Sequence, residues 1–268
     1  MDMVRVTTLT RKLAPVWPSK YDRAMAGKII YGLRPVQEAL AAGGRVNRLY
    51  LAKEQRAREA QALVDLAREQ GIPFDFVPQA KVNSLTGTQE HQGVAAAVSP
   101  VEYQSLESCL AGCGRHATLL VLDQVQHPRN VGILIRSAMG AGARGVLISA
   151  RGGALIDEDI LRYSAGAVFH VPVVPVKNMS QALRTLRDHD FWIYSLAAGG
   201  RDLFEMDWPG RCALVAGNET KGTRPGVSKN CDETLGIPLA NGLDSLNVAV
   251  AASVALFQIA SHRRRASE

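Results

Sequence analysis

Three polar clusters, each beside an apolar run, hold most of the side chains in this 268-residue chain that could do chemistry. The first is Asp123-x6-Asn130-x-Gly132-x3-Arg136-Ser137-Ala138. Asn130 stands where a helix N-cap is expected, which would give it a purely structural task. Arg136 falls among the apolar residues Val131, Ile133, Leu134, Ile135 and Ala138. A guanidinium there needs an anion, either a ligand or the carboxylate of a salt bridge. The second cluster is Gly217-Asn218-Glu219-Thr220-Lys221-Gly222. A glycine-rich loop with one carboxylate lets backbone N–H and C=O groups approach a ligand closely, but this one lacks the ending and spacing of a phosphate-binding P-loop. The third is Ile237-Pro238-Leu239, followed by Ser245-Leu246-Asn247. Ser245 and Asn247 could also simply cap the final helix.

The elements around these clusters alternate. Runs 213–217 and 234–239 are short, apolar and bounded by Gly, Pro and Asn, so they read as buried strands releasing the polar loops 218–224 and 240–244. Upstream, the pattern predicts strand 119–123, helix 130–139, strand 146–149, helix 157–163, strand 168–174, helix 180–188 and strand 191–196. Strands alternating with helices argue a parallel sheet covered on both faces, and such sheets bind ligands beyond their carboxyl strand ends. Gly140-Ala-Gly142-Ala-Arg-Gly145 matches the dinucleotide pattern GxGxxG. It ends a helix and enters a strand, the reverse of the order a pyrophosphate site needs, and reads as a helix C-cap with a tight turn.

Ahead of this region, residues 29–100 form a smaller α/β unit, with Pro35 at a first helical position and helical spacing of Ala57, Ala60, Leu63, Val64 and Ala67. Strands are expected at 49–51, 74–77 and 93–99. Residues 101–116 read as a linker, and the basic, proline-interrupted residues 1–28 as a disordered tail. Hydrophobic content of 47% and charged content of 21% fit a globular protein, and the net charge of +6 favours a polyanionic partner. The four cysteines form no CxxC pair and have no neighbouring His at ligand spacing, so reduced thiols and no metal are expected. The longest apolar run, 246–260, is too short for a bilayer, and no secretory signal is visible. A cytoplasmic protein is the expectation.

Taken together, the three clusters resemble the three motifs of the SpoU (TrmH-type) RNA 2′-O-ribose methyltransferases of the SPOUT superfamily, over roughly residues 117–260. Ser164-Ala-Gly-Ala167 and His170-Val-Pro172 also fit. Gly32-x3-Val36-x2-Ala39-Leu40 and His91-Gln92-Gly93-Val94 are similar to the L30e-like substrate-binding domain of a subset of that family, a subset that includes an enzyme acting on a guanosine of large-subunit rRNA. The resemblance implies a C-terminal trefoil knot in an α/β parallel-sheet domain (117–268), S-adenosylmethionine as methyl donor, and a homodimer. It implies cofactor contacts from Gly217, Asn218, Ile237, Leu239 and Leu246, and a catalytic pocket of Asn130, Arg136, Glu219, Ser245 and Asn247. The family's counterpart of Arg136 is proposed as the base. With a guanidinium pKa above about 12, a substrate phosphate would have to orient it, or it would stabilise the developing alkoxide. Where this chain has Asn241 the third motif usually has Gly, and Thr220 stands where a small residue is common. The expected partner is RNA, with rRNA ahead of tRNA and a non-catalytic RNA-binding role as the rival. Arg34, Arg45, Arg48, Lys53 and Arg263-Arg264-Arg265 are candidate phosphate contacts.

Overall fold

The computed structural model describes residues 28–41, 46–53, 58–99, 101–154 and 156–265. The basic tail therefore lies outside the described residues except for Lys28, the first residue of a strand, and Arg45 lies outside them too.

Two sheets organise the chain. The first has four strands, β1 (Lys28–Tyr31), β2 (Val46–Ala52), β3 (Phe74–Val77) and β4 (Val94–Val98), in the order β1-β4-β2-β3. β4 pairs antiparallel with β1 and β2, whereas β2 and β3 run parallel. Helices α1 (Leu33–Ala41) and α2 (Arg58–Glu69) contribute Val36, Ala39, Leu40, Leu63, Val64 and Ala67 to its core. A further helix, α3 (Gln79–Thr86), packs Val82 against Ala52 and Ala95 on the other face. α3 is missing from the sequence expectation because its apolar residues do not recur at a helical period.

The second sheet has six strands in the order β10-β8-β9-β5-β6-β7, every neighbouring pair parallel. β5 (Ala117–Asp123) is buried at every residue, as expected of a central strand covered on both faces. The others are β6 (Gly145–Ser149), β7 (Val173–Val176), β8 (Trp192–Asp202), β9 (Arg211–Gly217) and β10 (Glu233–Gly236). Helix α4 (Leu106–Ala111) precedes β5, α5 (Pro128–Gly140), α6 (Glu158–Tyr163), α7 (Met179–Asp188) and α8 (Pro225–Ser228) lie between the strands, and α9 (Val248–Arg265) follows β10. Asp157 and Asn178 cap α6 and α7 by accepting from Ile160 N and Gln181 N, each cap worth about 1 kcal/mol. The GxGxxG match ends α5 and enters β6, with Gly142 at φ +73°, so it is a helix-to-strand turn.

Several boundaries differ from the sequence expectation. The strand placed at 168–174 begins only at Val173, because Ala167–Phe169 forms a 3-10 turn after Gly166 at φ +83°. The linker 101–116 contains α4, started by Ser105, whose hydroxyl accepts from Ser108 N. Asn130 is not the N-cap of α5. Pro128 occupies the first helical turn and His127 the cap, so Asn130 is drawn inside the helix and buried. β8 runs past Leu196 to Asp202, and β10 stops at Gly236. The β8–β10 register jumps from Thr234↔Ser195 to Leu235↔Arg201, so residues 196–200 bulge out of the ladder.

The two sheets share one continuous apolar core. At their junction Arg162 on α6 lies 5.7 Å from the ring of Tyr31 and 4.8 Å from that of Tyr163. Gly166 approaches α1 so closely that a Cβ there would fall 2.4 Å from Glu38 Cβ. No helix among the described residues is long and apolar enough to cross a membrane. All four cysteines are free.

Candidate functional site

The carboxyl ends of β8, β9 and β10 open into a cleft of about 560 Å³, within the range of small-molecule sites. Three stretches line it: the bulge of β8, the end of β9 with its following loop, and the segment between β10 and α9. Gly217, Asn218, Ile237, Leu239 and Leu246, the expected cofactor residues, all lie on its wall, as do Glu219 and Ser245. Leu196, the last residue of the expected strand 191–196, and Ala197 to Gly200, which the sequence expectation left outside any element, form another part of that wall. Their only sequence signal is the pair Gly199-Gly200. A Cβ on Gly200 would come within 2.5 Å of the Leu235 backbone, so β8 can pass β10 this closely only without a side chain.

The cleft fits an adenosine-bearing sulfonium cofactor. Its wall combines glycines and aliphatic residues with a few polar ones, Asp202, Asn218, Glu219, Asp244 and Ser245, the mixture that suits a purine and a ribose. At Gly199 and Gly222 a Cβ would meet no protein atom within 4 Å, so the space beside the backbone is open at both positions. Asn241, where the related motif usually carries Gly, has φ +57°, a left-handed conformation in which Asn is several-fold enriched over most side chains. The substitution therefore preserves the turn.

Behind the cleft the catalytic candidates form a connected network. The Glu219 carboxylate accepts from Gln126 N (3.2 Å), His127 N (3.0 Å), Asn130 Nδ2 (3.1 Å) and Asn218 Nδ2 (3.3 Å). Asn247 donates Nδ2 to Asn130 Oδ1 at 3.2 Å and accepts from Ala249 N at 2.8 Å, so it caps α9 and touches the network at once. Burial raises the Glu219 pKa, but the backbone and side-chain donors around it outweigh burial and hold it below the usual carboxylate range. A carboxylate so stabilised is a weak base, which assigns Glu219 to holding loops rather than taking protons.

That depression sets a sign for pH dependence. A carboxylate with a lowered folded pKa contributes stability above its unfolded value and loses it as pH falls through the folded one. Urea midpoints measured below neutral pH should fall less steeply on acidification in Glu219→Gln than in the parent chain. Parallel curves would remove Glu219 from the acid transition.

Two candidates stand apart from the network. Ser245 is exposed on the rim and makes no hydrogen bond among the described residues. Arg136 is exposed as well, on the face of α5 that it shares with Arg129 one heptad earlier, and has no hydrogen bond or ion pair among the described residues. The expectation that it lies within apolar surroundings is thus corrected. Its neighbours in sequence turn inward, and the arginine turns out.

The candidate phosphate contacts also divide. Arg34, Lys53, Arg264 and Arg265 are exposed, and Arg48 is paired with Asp75 at 2.7 Å. Arg263 faces inward, donating to Ala117 O, Gly210 O and Thr118 Oγ1, so it ties the end of α9 to the sheet. No group of three or more His, Cys, Asp or Glu among the described residues could hold a metal ion.

Residues 117–257 match the family described as "SpoU rRNA Methylase family", and residues 29–104 match "RNA 2'-O ribose methyltransferase substrate binding". A protein of Bacillus subtilis named a putative TrmH family tRNA/rRNA methyltransferase is 30% identical, over 89% of this chain and 97% of its own length. An uncharacterized tRNA/rRNA methyltransferase of Mycobacterium avium is 37% identical, over 93% of this chain and 82% of its own. Among solved structures, the SpoU methyltransferase AviRb from Streptomyces viridochromogenes superposes with a TM-score of 0.75 at 24% identity, covering 93% of this chain and 94% of its own. Its complex with the cofactor AdoMet gives 0.73 at 23% identity, covering 92% and 93%. At these identities the structural likeness is one of fold.

Proposed function

This chain belongs to the SpoU rRNA methylase family, and we propose that it methylates a ribose 2′-hydroxyl, most specifically on a guanosine of large-subunit rRNA. It is an RNA methyltransferase that uses S-adenosylmethionine. The observation that supports this reading is the convergence of the β8 bulge and the loops after β9 and β10 on one cleft, with the loop after β5 and the start of α5 tied to it through Glu219, Asn130 and Asn247. The second match, over residues 29–104, supports a separate RNA-gripping unit, which we read as L30e-like. We take the domains as 29–100 and 117–268 with 101–116 between them, and the close passage of β8 past β10 as part of a trefoil knot.

When bound, S-adenosylmethionine supplies an electrophilic methyl group. The chain's own residues would hold it through Gly217, Asn218, Ile237, Leu239 and Leu246, leaving orientation of the ribose as their main task. Arg136, exposed and unpaired among the described residues, is placed to meet RNA phosphate or the developing alkoxide. Asn130 and Asn247 have their amides committed to the network, so their contribution is to fix the loops, while the Ser245 hydroxyl at the rim has no hydrogen bond among the described residues.

The same reading includes a homodimer. Val250 and Phe257 on α9 and Met139 on α5 are large, apolar and exposed, and Phe257 leans over Gly140. Phe257→Asp should convert a dimer to a monomer in light scattering. A parent chain that is itself monomeric would end the dimer reading.

The decisive test is transfer of labelled methyl groups to total RNA from a strain lacking the gene, followed by nuclease mapping. Label in a ribose-methylated dinucleotide of large-subunit rRNA is the expected result. Label in tRNA would keep the reaction and replace the substrate. RNA binding without label would replace catalysis with a binding role.

A further inference from the structure

Asp123 ends the central strand β5 with no solvent exposure, a costly place for a carboxylate. None of the roles assigned above uses it. Its partner comes from the other end of the cleft loop. Arg224 donates Nε (2.9 Å) and Nη2 (2.5 Å) to Asp123 Oδ1 and its backbone N (3.0 Å) to Oδ2. The Ser149 hydroxyl reaches Oδ1 at 3.5 Å.

The loop between Gly217 and Arg224 is thereby closed at both ends on the same short stretch of chain. At its start Asn218 donates Nδ2 to Gln124 O at 2.9 Å and bridges to Gly222. At its end Arg224 grips Asp123. Glu219 hangs between these two anchors and reaches back to the N–H groups of Gln126 and His127. The spacing of the anchors decides whether its carboxylate meets those donors, since one residue of slack would move it by about 3.5 Å.

We infer that Asp123 and Arg224 are a positioning pair for methyl transfer: their fork sets the loop that aims Glu219, and through it Asn130 and Asn247, at the cleft. Neither residue lies on the wall of the cleft. Two donors of one planar guanidinium on Oδ1, with the same residue's backbone N–H on Oδ2, fix distance and angle together, which a lysine cannot do. The assignment rests on the methyltransferase reading, but its first readout does not.

That readout is amide hydrogen exchange at Gln126 and His127, whose protons point at Glu219. In Arg224→Ala exchange there should rise by about tenfold or more, while amides in β5 and β9 keep their protection. Guanidinium at low concentration, below any denaturing level, should restore both protection and methyl transfer. A fold that had merely been loosened would be weakened further by the same ion. Because Arg224→Ala leaves a buried carboxylate without its partner, Asp123→Asn/Arg224→Gln serves as the second variant, removing both charges at once. Its kcat should fall by about 30-fold or more with the cofactor KM within about threefold, the signature of misplaced groups in a formed cleft. Unchanged exchange at both amides in a folded variant would overturn the pair's role whatever the activity. Altered exchange with no methyl transfer by the parent chain would leave the pair standing and remove the methyltransferase reading instead.

Discussion

Arg136→Ala loses methyl transfer by about 100-fold or more in kcat, the scale reported for removing one charge-stabilising donor, and binds S-adenosylmethionine nearly as the parent does. The expectation follows from where the side chain lies. Arg136 is exposed, pairs with nothing among the described residues, and is absent from the wall of the cleft. Its removal leaves no buried partner behind, so the melting temperature should move by no more than about 2 °C, as for a surface change within about 0.5 kcal/mol. Single-turnover kinetics, calorimetric titration of the cofactor and a thermal melt on the same preparation separate the three effects. Turnover like the parent's would end any role for Arg136 in the reaction. A large loss of cofactor affinity would move it from the RNA side of the site to the cofactor side.

Gly217→Ala strikes the cofactor side. Gly217 ends β9, and the loop that follows folds directly back over it. A Cβ at this position would stand 2.2 Å from Thr223 N and 2.3 Å from Gly222 C. These are backbone atoms, which no rotamer change can clear, so the loop itself must shift. It is held by Asn218 on one side and Arg224 on the other, so the shift either breaks one of those anchors or displaces the wall of the cleft. Strain of about 1–3 kcal/mol, the usual cost of overpacking, would weaken cofactor binding by roughly 5- to 150-fold if it fell wholly on that equilibrium. Calorimetric titration decides the matter. Binding within threefold of the parent, with an unchanged melt, would mean that the loop yields without touching the cleft.

The parallel sheet was legible because its strands are almost unbroken apolar runs. β5 is ATLLVLD and β9 is RCALVAG, with Gly or polar residues marking each exit. The assignment of Gly217, Asn218, Ile237, Leu239 and Leu246 to a cofactor came instead from the resemblance of the three motifs, and all five line the cleft. Legibility stopped where local pattern and tertiary pairing disagree. Ala197-Ala198-Gly199-Gly200 carries no strand signal and becomes wall only because β10 passes against it. Val168 to Val171 looks like a strand and is instead wound around Gly166, whose left-handed backbone lets α1 come close. Asn130 has the residue type of a cap, yet Pro128 starts the helix ahead of it and leaves its amide for Glu219.

What the sequence determined by itself was the inventory: an alternating α/β chain, three polar loops at strand ends, and the family those loops resemble. Each of these depends on residues close together along the chain, where propensity, capping and periodicity act. Tertiary structure alone decided how the inventory is wired. Glu219 meets Gln126 and His127 across more than ninety residues, Arg224 meets Asp123 across 101, and Asn247 meets Asn130 across 117. Such contacts leave no periodic trace, because they exist only after β5, β9 and β10 have been brought into one sheet region. The same physics turned Arg136 outward and Arg263 inward. Both are arginines on helices, but only the second finds three backbone carbonyl and hydroxyl acceptors waiting at the foot of the sheet.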